Sequence, residues 1–244
     1  MFRHTGNTRT LTHNMKLASS LSFVAGIVNI CGVFAFTTLT TNVTGHFAYF
    51  ADEIVKKDYS TATVFINYIL CFLFGAFLSG ILSEFFAKKS PKSSHIIPLL
   101  LEAILLTLVG FSDVVFRNQE NYFHFASYML LFAMGLQNAL VTKASQSTVR
   151  TTHLTGLFTD LGIELSQLFF YKKTEEKNRL SKNIYLKLSI IIFFFLGCLL
   201  GGFVFQILKL RTLFIASSAL IIIIYMDYLT IHYFSLKRKL RKNH

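Results

Sequence analysis

Long apolar runs separated by short basic segments are the feature that most restricts how this chain can fold. A helix that crosses a bilayer needs about 20 mostly apolar residues, and six segments have that length and character. The predicted spans are residues 17–39, 62–85, 95–115, 123–147, 184–208 and 211–234. The sequence therefore predicts an all-α fold, a polytopic bundle of about six transmembrane helices.

Composition supports the same class of protein. Hydrophobic residues make up 53% of the 244 residues and charged residues only 15%, whereas soluble domains carry roughly 25% charged residues. A soluble protein this apolar would expose large sticky patches, but in a bilayer such side chains can face lipid. We expect one integral membrane domain over residues 1–244, with the lipid bilayer as its main partner.

The positions of the positive charges predict an orientation. If both termini are cytoplasmic, 19 of the 24 Lys and Arg residues fall on the cytoplasmic side and 5 on the other, as the positive-inside rule requires. Residues 235–244 then form a basic cytoplasmic tail. The net charge of +12 is explained by topology, so nucleic acid is not expected as a partner.

A polar pattern occurs twice within the apolar runs. G-x-x-N at residues 26–29 precedes T-x-[VL]-T-G at residues 41–45, and the pattern returns at residues 135–138 and 152–156. Self-similarity of this kind indicates two similar halves, which we place at residues 15–115 and 123–234. Three spans per half is an odd number, so the halves would be inverted, as in many secondary transporters.

Small residues extend the match between the halves. Residues 75–80 read G-A-F-L-S-G in the second span, and residues 197–202 read G-C-L-L-G-G in the fifth. Small residues allow membrane helices to approach closely. Both segments are therefore predicted to lie at helix–helix contacts.

A short helix with one polar side is predicted after each T-G pair, over residues 46–55 and 157–171. The helices could lie in the interface, dip into the membrane, or extend the preceding span beyond a break at the glycine. Thr44-Gly45 could itself break a helix, or Thr44 could cap a helix end at the membrane surface.

These motifs resemble the YoaK-like family of bacterial multi-spanning membrane proteins. The resemblance is carried by residues 25–29, 40–45, 75–80, 134–139 and 151–156 and covers roughly residues 15–235. It implies a protein of the bacterial inner membrane and a domain of unknown function. The family often has Asp where this chain has Asn29, so a proton carrier or cation ligand is missing at that position.

The candidate residues are polar groups at membrane depth or on the short helices. They are Asn29, Thr44, Gly45, Glu102, Asn138, Thr155, Gly156, Asp160 and Glu164. Asn29 and Asn138 are expected either to line a substrate path or to form interhelical hydrogen bonds.

Glu102 is the most conspicuous acid, since it lies inside the third predicted span. It could lie off-centre, stay protonated or meet a partner, and an intramembrane carboxyl is by default a functional candidate. Glu84, Asp113 and Asp227 lie nearer the predicted span ends, where solvation is expected.

Catalytic signatures are missing from the sequence, including G-x-x-x-x-G-K-[ST], H-E-x-x-H and G-x-S-x-G. We therefore expect no enzyme activity, no cofactor and no metal site. The hypothesis that the sequence favours is a secondary transporter or permease for an unknown small solute or ion, which could assemble as a homo-oligomer. The alternative is a non-transporting protein that binds a lipid or protein partner through the basic stretch 172–187. An intramembrane enzyme acting on lipid has only Glu102, Asp160 and the histidines in its favour.

Overall fold

The computed structural model describes residues 10–89, 94–115, 122–145, 147–171 and 173–240, and its regular elements over those ranges are all helices. The α-helices are α1 (Leu11–Phe36), α2 (Val43–Val55), α3 (Tyr59–Lys89), α4 (Ile96–Val115), α5 (Tyr122–Ala144), α6 (Leu154–Phe170), α7 (Thr174–Leu208) and α8 (Leu213–Leu240). The last four residues of the predicted basic tail lie outside the described residues.

Four helical stretches are long and apolar enough to cross a membrane: Leu11–Phe36, Tyr59–Lys88, Phe123–Ala144 and Thr174–Thr230. The last stretch contains both α7 and α8, and α4 contributes a shorter apolar segment, Ile96–Ser112. Large apolar side chains on α3, α7 and α8 are exposed, as lipid-facing residues are. The chain is thus a helical, membrane-embedded protein.

α1 and α5 are the inner helices of the bundle. In their most apolar windows 67% and 61% of the residues are buried, against 22% for α3. α1 packs chiefly against α7, α3 against α5, and α4 against α8. The core between them is filled by aliphatic side chains, among them Leu21, Leu106, Met134, Ile190 and Leu220.

Glycines bring α1 and α7 into backbone contact. A Cβ on Gly26 would overlap the carbonyl oxygen of Phe194 and lie 2.9 Å from the Cys198 nitrogen. A Cβ on Gly197 would in turn overlap the carbonyl oxygen of Phe23. Any larger residue at either glycine would push the two helices apart.

α3 and α5 cross in the same way. A Cβ on Gly135 would overlap the carbonyl oxygen of Phe72 and lie 3.0 Å from the Ala76 nitrogen, and one on Gly75 would overlap the carbonyl oxygen of Phe132. The sequence prediction that small residues permit close contact is therefore correct at Gly75 and Gly197. It is wrong at Gly80, where a Cβ would meet no atom of another described residue of the bundle within 4 Å.

The connection between α7 and α8 is a 3-10 turn, Lys209–Thr212, entered through Lys209 at φ 53°. This break falls where the sequence predicted the fifth span to end. α7 begins at Thr174, ten residues before the predicted start. Its first turn carries Glu175 and Glu176, which favour a helix N-terminus because they complement the helix dipole.

The two short helices exist, but they do not follow the T-G pairs as the sequence predicted. α2 begins at Val43 and α6 at Leu154, so each T-G pair lies in the first turn of its helix. The chain leaves α1 at Thr37, which has φ 51°, and α2 is capped by Asn42, whose Oδ1 accepts from the Gly45 N–H at 3.0 Å. The break thus precedes the glycine, and Asn42 takes the capping role considered for Thr44.

Candidate functional site

Asn29 ties the segment after α1 back onto that helix. Its Oδ1 accepts hydrogen bonds from Thr41 Oγ1 at 3.0 Å and from Thr40 Oγ1 at 3.5 Å. Asn29 is 9% exposed and Thr40 is fully buried. The amide predicted as a site residue therefore holds the α1–α2 connection against α1.

Asn138 holds the α5–α6 connection in the same manner. Its Oδ1 accepts from Thr152 Oγ1 at 3.2 Å. The neighbouring Gln137 is fully buried, and its Nε2 donates to the Leu21 carbonyl of α1 at 2.9 Å and approaches Thr151 Oγ1 at 3.4 Å. α5 thus contacts both its own following segment and the other inner helix.

Gln137 is not among the residues predicted from the sequence, although it lies within the second G-x-x-N motif. The available signal was a second amide beside Asn138 in an apolar span, since a buried amide requires partners. Its Oε1 is buried and has no hydrogen-bond partner among the described residues, and the same holds for Ser22 Oγ on α1.

Four predicted site residues lie in the first turns of the short helices. Thr44 and Thr155 are exposed, and Gly45 and Gly156 are partly buried. A Cβ on Gly45 would press on the Asn42 side chain, and one on Gly156 on the imidazole of His153, which precedes α6. These glycines leave room for the side chain that starts each helix.

Glu164 pairs α6 with α7, and Asp160 lies farther from the same cation. Glu164 Oε1 lies 2.7 Å from Lys187 Nζ, and these side chains are 14% and 16% exposed. Asp160 is more exposed and lies 3.8 Å from the same nitrogen. Their spacing places both acids on one face of α6, and that face contacts Lys187 of α7. The ion pair therefore holds the two helices together.

Glu102 is the one predicted acid at the centre of the packing. It lies on α4 and is fully buried, and neither carboxyl oxygen has a hydrogen-bond partner among the described residues. Leu99 and Leu106, one turn away on either side, are also fully buried. Of the three possibilities considered for Glu102, a bonded partner is not found among the described residues.

Asp227 corrects the expectation of solvation near a span end. Its side chain on α8 is 1% exposed, and Oδ2 lies 2.8 Å from Nε2 of His95, which is itself 4% exposed. Glu84 does match the expectation, because it is exposed and pairs with Lys143 at 2.6 Å. The side chain of Asp113 lies outside the described residues.

A pocket of about 270 Å³ opens where α1, α3 and α5 meet. None of the nine predicted site residues lines it. Its walls carry aromatic rings, hydroxyl groups and an imidazole, supplied by Phe36, Thr37, Thr38, Ser60, Thr61, Val64, Phe65, Tyr68 and His124.

His46 of α2 packs beside this pocket. Its ring centroid lies 5.1 Å from that of Tyr68 and 6.2 Å from that of Phe65, and its Nε2 donates to the Leu39 carbonyl at 2.9 Å. Nδ1 is buried without a partner among the described residues. Burial lowers the pKa of His46 below 6.5, partly opposed by the bond to Leu39.

The structure therefore separates the nine predicted residues into four groups. Asn29 and Asn138 bind the segments that leave the inner helices. The Thr-Gly pairs lie in the first turns of α2 and α6. Glu164 and, at a longer distance, Asp160 face Lys187 of α7, and Glu102 is enclosed by itself.

Residues 17–226 match the family described as "Protein of unknown function (DUF1275)". The chain belongs to the DUF1275 family. The match confirms the family resemblance seen in the motifs. No curated protein and no solved structure matches the chain.

Proposed function

We propose that this DUF1275 protein is a secondary transporter or permease for a small solute or ion. It is built from two inverted three-span halves, residues 15–115 and 123–234. It resides in a bacterial inner membrane with both termini in the cytoplasm. The proposal assigns it no chemical catalysis and no nucleic-acid partner.

The observation that carries the proposal is the equivalence of the two glycine crossings. Gly26 contacts Phe194 of α7, and Gly135 contacts Phe72 of α3. In each case the first span of one half packs on the second span of the other half. Such reciprocal contacts are expected when two similar halves interlock.

The polar connections support the same arrangement. Thr41 donates to Asn29 at 3.0 Å and Thr152 donates to Asn138 at 3.2 Å. In each half, the segment that follows the first helix is thus bonded back onto that helix, α1 in one half and α5 in the other. In inverted-repeat transporters the substrate site lies near the midplane where the halves meet. We assign the path to the α1–α5 contact. Ser22 Oγ of α1 and Gln137 Oε1 of α5 are buried and have no hydrogen-bond partner in the part of the chain that the structure describes.

Flux measurements on proteoliposomes test this function. Purified protein is screened against monovalent and divalent ions, amino acids, sugars and organic acids, with folding checked by size-exclusion profile. We expect flux for at least one solute class, reduced in Gln137→Leu and unchanged in Asp160→Asn, whose carboxylate is half exposed. Absence of flux for every solute, with folded protein, would overturn the proposal.

Partner binding is the second candidate, because exposed cations outnumber the two acids Glu175 and Glu176 around the start of α7. The exposed cations are Lys173, Lys177, Arg179 and Lys182. They precede Lys187, which is already paired with Glu164. Such a cluster is suited to anionic lipid headgroups. Partner binding would be favoured if the protein binds vesicles rich in anionic lipid in a salt-sensitive manner but gives no flux. Replacing these four residues by Gln should then abolish the binding.

A further inference from the structure

Glu102 lies in surroundings that do not favour a carboxylate anion. It is fully buried between Leu99 and Leu106 on α4, and its oxygens are without hydrogen-bond partners among the described residues. An ionised, unpaired carboxylate in an apolar site carries a large desolvation cost, whereas the neutral acid carries far less. Glu102 is therefore expected to hold a proton in this conformation.

Neighbouring hydroxyl groups do not compensate for the missing partners. Ser217 of α8 donates to the Ala103 carbonyl at 2.9 Å, and its oxygen lies 2.7 Å from Thr107 Oγ1. Thr107 also donates to the Ala103 carbonyl at 2.7 Å. Both hydroxyl groups are thus bonded to the Ala103 carbonyl and not to the carboxyl group of Glu102.

No described cation pairs with Glu102 within 4 Å. α4 packs against α3, α5, α8 and the 3-10 turn. The charged, imidazole, phenol and thiol side chains described on those elements are Tyr59, Tyr68, Cys71, Glu84, Lys88, His124, Tyr128, Lys143, Lys209, Arg211, Tyr225, Asp227, Tyr228, His232 and Tyr233. Two of them have partners elsewhere, since Lys143 binds Glu84 and Asp227 binds His95.

His95 directly precedes α4, and its carbonyl accepts from the Leu99 N–H at 3.3 Å, so it stands at the N-terminal end of the helix that carries Glu102. Seven residues are two helical turns, so the two Cα atoms are about 10 Å apart along the axis. His95 is bonded to Asp227 on the facing helix. The pair lies at the α4 end that follows Lys88, which the charge pattern assigns to the cytoplasm.

We propose that Glu102 is a proton-binding site that exchanges its proton with the cytoplasm through the His95–Asp227 pair on the α4–α8 interface. On release, the O–H bond of Glu102 breaks and the proton moves to a His95 nitrogen, leaving a carboxylate and an imidazolium. The imidazolium, held by Asp227, then gives the proton to cytoplasmic water. Because the two groups are two turns apart, this transfer requires α4 and α8 to part or Glu102 to swing toward His95.

The chemistry of these residues supports the route. Imidazole gains and loses a proton near neutral pH, and Asp, Glu and His in series form proton relays in pumps and transporters. If the proposed function holds, the proton is the coupling ion. This last step rests on that function, whereas the proton-binding site itself does not.

Infrared spectroscopy tests the proton directly. In membranes reconstituted with the full chain, a protonated carboxyl gives a C=O stretch that is separate from the bands of carboxylates and amides. We expect such a band in the wild type, its loss in Glu102→Gln, and its retention in the control Asp160→Asn. A spectrum that Glu102→Gln leaves unchanged between pH 6 and pH 8 would overturn the proposal.

Hydrogen–deuterium exchange of the same band tests the route. After transfer to D₂O, the band shifts as the proton is replaced. We expect exchange to slow by roughly tenfold or more in the double variant His95→Gln/Asp227→Asn, which keeps a neutral hydrogen-bonding pair but removes the titrating groups. Thr107→Val is the matched control on α4, and an unchanged rate in the double variant would exclude the His95–Asp227 route.

The two experiments separate this inference from the proposed function. The infrared band reports on Glu102 whether or not any solute crosses the membrane. If the band is lost in Glu102→Gln but no flux is found, the proton site stands and the transport proposal fails. If flux is found but is insensitive to Glu102→Gln and to an imposed pH gradient, proton coupling fails and transport stands.

Discussion

Gly26 of α1 and Gly197 of α7 meet at a helix crossing where neither residue has room for a side chain. A Cβ on Gly26 would lie 3.1 Å from the Gly197 Cα and 2.9 Å from the Cys198 nitrogen. Glycine is required at both positions because the obstructing atoms belong to the backbone and cannot rotate away.

Replacing Gly26 or Gly135 by Ala should destabilise the protein, since each Cβ would collide with a carbonyl oxygen of the facing helix. Overpacking of this kind costs about 1–3 kcal/mol. We expect a lower melting temperature in detergent for each variant, with similar losses at the two crossings.

Gly80→Ala is the matched control on α3, because its Cβ position has no obstructing atom within 4 Å over the described ranges of the chain. This variant should be neutral or slightly stabilising, since Ala favours a helix over Gly by up to about 1 kcal/mol. If Gly80→Ala and Gly135→Ala lowered the melting temperature equally, the close contact of α3 and α5 at Gly135 would be contradicted.

Much of the helical framework follows from local sequence. Apolar run length placed the helices, and the small residues at Gly75 and Gly197 marked real contacts. The position of the chain breaks did not follow, because Thr-Gly pairs are compatible both with a helix end and with a helix start. Here the Thr-Gly pair lies at a helix start, because Asn42 caps α2 by accepting from the Gly45 N–H.

The candidate site was less predictable because its contacts join distant parts of the chain. The i, i+4 spacing of Asp160 and Glu164 showed a shared face, but the cation that they bind, Lys187, is known only once α6 docks on α7. Asp227 was expected in solvent, yet it is buried and pairs with His95, which directly precedes α4. Burial of Glu102 was foreseeable from its apolar neighbours, whereas the lack of a partner was not.

The bonds of Asn29 to Thr41 and of Asn138 to Thr152 should contribute similar coupling energies. Hydrogen bonds inside membrane proteins average about 0.6 kcal/mol in double-mutant cycles. Cycles built from Asn138→Leu with Thr152→Val, and from Asn29→Leu with Thr41→Val, should therefore each give a coupling near that value. Additive losses in both cycles would mean that the bonds do not hold the connections.

The ion pair between Lys187 and Glu164 should control the docking of α6. Lys187→Met leaves a largely buried carboxylate uncompensated, and losing a hydrogen bond to a charged group costs about 1.5–3 kcal/mol. Faster amide exchange is expected in α6, with partial recovery in Lys187→Met/Glu164→Gln. Asp160→Asn should have little effect, since Asp160 is 59% exposed and lies 3.8 Å from the cation.

The position of α2 should depend on pH through His46. Burial holds the pKa of His46 below its ordinary value of 6.5, so the unfolded chain binds a proton more readily than the folded one. The stability that His46 contributes is therefore fully present above pH 6.5 and is lost as the pH falls toward the folded-state pKa. Protonation would also place a hydrogen on Nδ1, which is buried without an acceptor among the described residues.

Amide exchange in α2 should accelerate between pH 7 and pH 5 in the wild type. His46→Gln keeps a donor for the Leu39 carbonyl but cannot titrate, so its exchange, corrected for intrinsic rates, should stay nearly constant over that range. An equal acid response in both proteins would assign the effect to another group.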